Sequence, residues 1–169
     1  THVAGIAAAI TDNDVCIAGV SWRSQIMALK AGIGATKSIS VSAESDAIIY
    51  AANHGADVIN MSFGGGSSAT EAAAITYAAD RQVILVAASG NENDATVLYP
   101  ARYERVIAVG ASFGEARADF SNYGPTLDIV APGVNIYSTV RGGIYDVKNG
   151  TSMATPVVAG VAAILRGLD

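Results

Sequence analysis

Cysteine is nearly absent from this chain of 169 residues: Cys16 stands alone, so no disulfide can form within it. It sits in an apolar run, residues 15–18, where a buried, unreactive thiol is expected rather than a nucleophile. Charge is scarce as well. Lys plus Arg number 10 and Asp plus Glu 15, a net charge of -5, and the basic residues gather into no stripe. A nucleic-acid partner is therefore not expected, because nothing would follow a phosphate backbone. No apolar run reaches the roughly 20 residues that cross a bilayer. The first residues also lack the basic start of a signal peptide, so no membrane partner is expected.

Small and apolar residues are what the chain has in quantity. Hydrophobic residues make up 51% and glycines number 18, a composition that supports a packed core and excludes a disordered chain. No repeat, low-complexity tract or linker interrupts it, so residues 1–169 read as one domain. Five short runs are apolar on both sides: residues 25–30 (QIMALK), 57–61 (DVINM), 82–88 (QVILVAA), 106–111 (VIAVGA) and 127–131 (LDIVA). Such runs fit strands of a parallel sheet covered on both faces. Between them, residues 43–54 and 68–81 carry apolar side chains three and four apart, which predicts helices. Ser42 ahead of Glu44 and Asp46 predicts one helix start, Ser68 with Glu71 fits a capping box, and Gly55 marks a helix end. The class is α/β, a mostly parallel sheet with helices on both faces. Both ends read as cut: residues 1–10 are helix-like without a lead-in, and the chain stops at Asp169 directly behind an apolar helix.

The most specific motif is Gly150-Thr151-Ser152-Met153-Ala154-Thr155-Pro156, followed by Val157, Val158, Ala159 and Gly160. A serine near the start of an apolar helix has the helix N-H groups and the positive end of its dipole beside it, which favours a developing oxyanion. Pro156 falls in the early turns, where a missing N-H does least harm. For an isolated Gly-Thr-Ser triplet, simple helix capping would be the competing reading. The whole run resembles the serine signature of the subtilase family, and other segments match that family in order along essentially the whole chain.

Residues 1–5 (THVAG) resemble the tail of the family's histidine motif, His-Gly-Thr-His-Val-Ala-Gly. The resemblance implies that the catalytic histidine lies two residues before Thr1 and the catalytic aspartate further upstream, in the order aspartate, histidine, serine. His2 then occupies a structural helix position, and His54, just before Gly55, reads as a histidine at a helix C-terminus. Neither supplies a base.

Ala88-Ser89-Gly90-Asn91 follows an apolar strand and resembles the family segment whose asparagine helps hold the oxyanion. Ser62, Phe63, Gly64 and Gly65 resemble the segment whose backbone lines the substrate cleft. With Ala88, Ser89 and Gly90 they would wall a narrow, mainly apolar pocket for the residue before the scissile bond. Tyr99-Pro100 resembles a family turn with a cis proline beside that pocket. Asp12, Asn13 and Asp14 align with a family calcium loop and read equally as turn residues, so a structural calcium at Asp12 is an expectation of the resemblance alone.

The resemblance implies a serine endopeptidase that works through an acyl-enzyme on Ser152, takes a polypeptide substrate, needs no catalytic cofactor and is secreted. It also implies contact with a propeptide or with the N-terminal segment. This chain alone would be inactive for lack of the triad histidine and aspartate. Two other classes stay open: a non-catalytic peptide-binding relative, and a nucleotide-binding α/β module built on the glycine run after residue 63. The second lacks the G-x-G-x-x-G order and the Walker lysine.

Overall fold

The computed structural model describes residues 1–32 and 38–168; Asp169, the last residue of the C-terminal stretch, lies outside them. Its elements in chain order are α1 (His2–Ala8), α2 (Val41–Asn53), β1 (Val58–Met61), α3 (Ala69–Asp80), β2 (Ile84–Ala88), β3 (Ile107–Phe113), β4 (Ala116–Arg117), β5 (Ile129–Pro132), β6 (Ile136–Thr139), β7 (Tyr145–Lys148) and α4 (Thr151–Arg166). Four of the five apolar runs are strands. They pair in parallel as β1-β2-β3-β5, while β4 turns back antiparallel on the last residues of β3.

Side chains alternate across the central strand β2 and meet helices on either side, whereas Ile129 and Val130 of β5 stay exposed. Leu85 and Ala87 of β2 pack with Met61, Ile48 of α2 and Ala74, Ile75 and Ala78 of α3. Val86 points the other way, into a second cluster with Val109, Ala111, Ala131 and the α4 residues Ala154 and Ala159. Helix α1 rests on α4 where Gly160 has no side chain. A Cβ there would meet Val20 at 2.7 Å and the Ala7 carbonyl at 3.0 Å.

The helix punctuation holds in part. Gly55 lies at φ 78 and the Ala56 N-H reaches the Ala51 carbonyl, the wrapped C-terminal geometry that glycine permits. Ser68 caps α3 by accepting from the Glu71 N-H. The return half of the capping box is absent, because Tyr103 takes the Ser68 N-H with its hydroxyl. The Glu71 carboxyl is buried instead, beside Glu44 of α2. The α2 cap is Ser40, not Ser42: Ser40 accepts from the Ala43 N-H, and the helix begins a residue before Ser42.

Two expectations are corrected. Residues 25–30 form no strand, and Ile26, Met27 and Leu29 are exposed. An apolar run becomes a strand only where a neighbour accepts its backbone, and none of the described strands pairs with this run. Cys16 is exposed, not buried. Asp12, Asp14 and Cys16 all have positive φ, so the loop curls over the surface and leaves the thiol 3.8 Å from the Tyr137 hydroxyl. The β6–β7 hairpin has no counterpart in the periodicity analysis. Its strands are short and half exposed.

Candidate active site

Because β1 and β2 are parallel and in register, with Met61 opposite Ala87, the chain leaves both at the same edge of the sheet. Helix α4 starts at that edge, and Gly150, its N-cap, has φ 145, a conformation open to glycine. Three segments therefore converge: residues 62–65 after β1, residues 89–92 after β2, and the first turn of α4.

Ser152 is half-buried in that first turn. Four residues on, Pro156 has no N-H, so the Ser152 carbonyl loses its partner within the helix. Ser62 replaces it. The Ser62 hydroxyl donates to the Ser152 carbonyl at 3.0 Å, and the Ser152 hydroxyl donates to the Ser62 carbonyl at 3.1 Å. Asn60 extends the chain, its Nδ2 donating to Ser62 Oγ at 2.9 Å. Neither histidine is a partner of Ser152. His2 is buried with Nε2 directed at the carbonyls of Ile136 and Asp146, which requires the proton on that nitrogen. His54 donates from Nδ1 to the Tyr50 carbonyl and stacks on the Tyr50 ring.

Asn91 is exposed and meets α4 one residue before Ser152. Its Oδ1 accepts from the Thr151 N-H at 2.8 Å and from the Thr151 hydroxyl at 3.1 Å. With two donors fixing the oxygen, the carboxamide is oriented and its Nδ2 is turned away from Thr151, available as a donor. Helix N-H groups and this amide bring positive partial charge to one small region, suited to an anionic oxygen.

The remaining wall residues divide. Gly64 and Gly65 are exposed, and Gly65 bridges Tyr99 through paired backbone bonds of 2.8 and 3.1 Å. Leu98 packs over Gly64 and donates its N-H to the Ser89 carbonyl, so residues 98–99 tie the two walls together. Phe63 offers only backbone to the cleft, since its ring packs against the core. Ala88, Ser89 and Gly90 are buried, and the Ser89 hydroxyl donates inward to the Asn122 carbonyl. The Tyr99-Pro100 bond is cis. Two shallow hollows, of about 290 and 350 Å³, lie at residues 12–18 and beside α1, and neither includes Ser152 or Asn91.

The carboxylates at Asp12 and Asp14 do not by themselves make up a calcium site. Calcium takes about six to eight oxygens. Among the described residues no group of three or more His, Cys, Asp or Glu side chains comes together, and the Asn13 side-chain oxygen already accepts the Val15 N-H.

Thr151, Asn60 and Asn122 are the site residues that the motif analysis did not single out for a role. Thr151 lies inside the serine signature, which was the available signal. Nothing in the sequence around Asn122 marks it.

The family model described as "Subtilase family" matches residues 1–168. The chain is 50% identical over 167 residues to a thermophilic serine proteinase of Bacillus sp. strain AK1, covering 98% of this chain and 41% of that protein. It is 48% identical over 168 residues to subtilisin Savinase of Lederbergia lenta, covering 98% and 62%. Among solved structures, a protease from Pseudoalteromonas arctica superimposes with a TM-score of 0.92 at 36% identity, over 99% of this chain and 57% of that one. Sphericase gives 0.92 at 31%, over 100% and 63%. The chain thus spans roughly half the length of the curated relatives it matches.

Proposed function

The chain belongs to the subtilase family, and on that premise we propose that it is the serine-bearing part of a subtilisin-like endopeptidase in which Ser152 is the nucleophile. The observation that carries this is the Asn91 carboxamide. Thr151, the residue before Ser152, holds its oxygen with two donors, which leaves the N-H₂ of an exposed side chain free beside the first turn of α4. In the reaction, Ser152 Oγ attacks the peptide carbonyl and forms an acyl-enzyme that water later hydrolyses. The Asn91 Nδ2 and the Ser152 backbone N-H would hold the oxyanion between them.

For that attack the Ser152 proton must leave the Ser62 carbonyl and pass to a base. His2 and His54 are bonded elsewhere, which supports a base supplied from outside these 169 residues and, on this reading, no triad-dependent activity in the chain alone. Family membership supports a polypeptide substrate, and the same reading makes the enzyme secreted, with a propeptide or the N-terminal segment as its other partner. Catalysis needs no cofactor.

A non-catalytic peptide-binding relative is the second reading, favoured because neither histidine is bonded to Ser152 among the described residues. The nucleotide-binding reading has a physical objection. The N-terminus of α3 is already capped by Ser68 and holds the buried carboxyl of Glu71, where a phosphate would be repelled.

Measuring ester and peptide hydrolysis by the 169-residue chain and by a longer protein that includes it tests the assignment. Activity is expected only in the longer protein and is lost in Ser152→Ala. Hydrolysis by the isolated chain with an ordinary serine-protease pH profile, abolished by Ser152→Ala, would show that the base has been misplaced.

A further inference from the structure

Asn122 sits in the turn after β4, is fully buried, and has every polar atom bonded. Its N-H donates to the Gly90 carbonyl at 3.0 Å, and its carbonyl accepts from the hydroxyls of Ser89 and Ser121. Its Oδ1 accepts from the N-H groups of Glu92 and Asp94, at 2.9 and 3.1 Å. Its Nδ2 donates to Glu92 Oε2 at 2.8 Å and to the Thr96 carbonyl at 3.1 Å. Apart from the Ser121 hydroxyl, every one of these partners lies within residues 89–96, the loop that carries Asn91.

The same Glu92 Oε2 also accepts the Asn91 N-H, at 2.8 Å. Asn91 is therefore held at two points, its backbone by the Glu92 carboxylate and its side chain by Thr151. Asn122 fixes the first of them. Gly90 shows how closely the carboxamide is fitted: a Cβ there would lie 2.3 Å from Asn122 Nδ2 and 2.7 Å from Glu92 Oε2, and its φ of 112 excludes most other residues.

From this we propose that Asn122 is a positioning residue for the oxyanion donor, acting through Glu92 to hold the Asn91 backbone so that its Nδ2 meets the developing charge. The inference rests on the protease reading of Ser152 and Asn91. An oxyanion donor acts only where its N-H is aimed beforehand, because reorienting a loose amide during the reaction forfeits the benefit. Asn91 is exposed and its loop has few apolar contacts, so polar bonds must supply that aim.

The test is a double-mutant cycle in the longer protein that contains this chain, with kcat and KM for a peptide anilide read for wild type, Asn122→Ala, Asn91→Ala and the double variant. Asn122→Ala should lower kcat on the order of 10- to 100-fold, as a small misplacement of catalytic geometry does. KM should stay within about threefold, because ground-state binding is untouched. With Asn91→Ala already present, adding Asn122→Ala should cost less than about threefold, since the group it positions is gone. Losses that multiply in full would overturn the proposal and leave Asn122 a structural residue, with Asn91 unaffected. If Asn91→Ala left kcat unchanged, the reading beneath the proposal would fail, and the proposal with it. Should Asn122→Ala not fold, judged by its melting curve, Asn122→Asp takes its place. It keeps the shape and the acceptor for the Glu92 and Asp94 N-H groups and loses the donor to Glu92. The same non-multiplying pattern is expected of it, and full multiplication overturns the proposal.

Discussion

Ser62 and Ser152 exchange hydrogen bonds, each hydroxyl donating to the other's carbonyl, at 3.0 and 3.1 Å. The exchange exists because Pro156 cannot donate to the Ser152 carbonyl. Ser62→Ala should leave that carbonyl without its donor and cost about 1 kcal/mol. In a domain of this size that lowers the melting temperature by about 2–4 °C. Restoring a helix donor with Pro156→Ala should make the Ser62→Ala loss smaller. An equal loss in both backgrounds, read from urea unfolding curves, would refute the compensation.

Asn91→Asp keeps an oxygen for the two Thr151 donors but removes the N-H₂ group. In the longer protease kcat should fall by about 10² to 10³, the loss that removing such a donor causes in subtilisin. KM should change little. Thr151→Val removes only the hydroxyl donor and leaves the N-H bond to Asn91, so its effect on kcat should be clearly smaller than that of Asn91→Asp. Steady-state kinetics on one peptide substrate reads both.

Glu44 and Glu71 are buried together between α2 and α3, with the Tyr103 hydroxyl beside Glu71. Burial first, then the Glu71 charge and their hydrogen bond, push Glu44 up from 4.5 to about 7, and burial raises Glu71 as well. A raised carboxyl holds its proton in the folded state when the unfolded chain has released it. Stability is therefore full below about pH 4.5 and declines as pH rises towards and through 7. Glu44→Gln retains a donor for Glu71 without the ionisation. It should be more stable than wild type at pH 8 by on the order of 1–3 kcal/mol and no more stable near pH 4.5. Parallel melting curves that keep the same separation at both pH values would exclude the shared proton.

Substrate preference should favour a large apolar residue before the scissile bond, because Ser62–Gly65 and Ala88–Asn91 bear no charge and Leu98 packs over Gly64. A peptide library screened with the longer protease should show Leu, Phe or Met ahead of Lys and Arg at that position. A clear preference for Lys or Arg would count against these walls, which hold no carboxylate to pair with it.

Four strands, the helices around them and the serine motif were legible in the sequence because their signals are local. A short apolar run marks a candidate strand from its own composition, and the serine motif at an apolar helix start is recognisable from its own residues. Tertiary structure alone decided the rest, for one physical reason: a hydrogen bond or a burial has two sides, and the second side lies far along the chain. Residues 25–30 have the composition of a strand but no described strand pairs with them, while Cys16 has apolar neighbours in sequence and none covering it in space. Ser40 rather than Ser42 caps α2, since only its oxygen faces a free N-H. Asn91 is recognisable after β2, yet its orientation comes from Thr151, 60 residues later. Asn122 reaches the same loop from 30 residues beyond Glu92, and only the fold brings the two together.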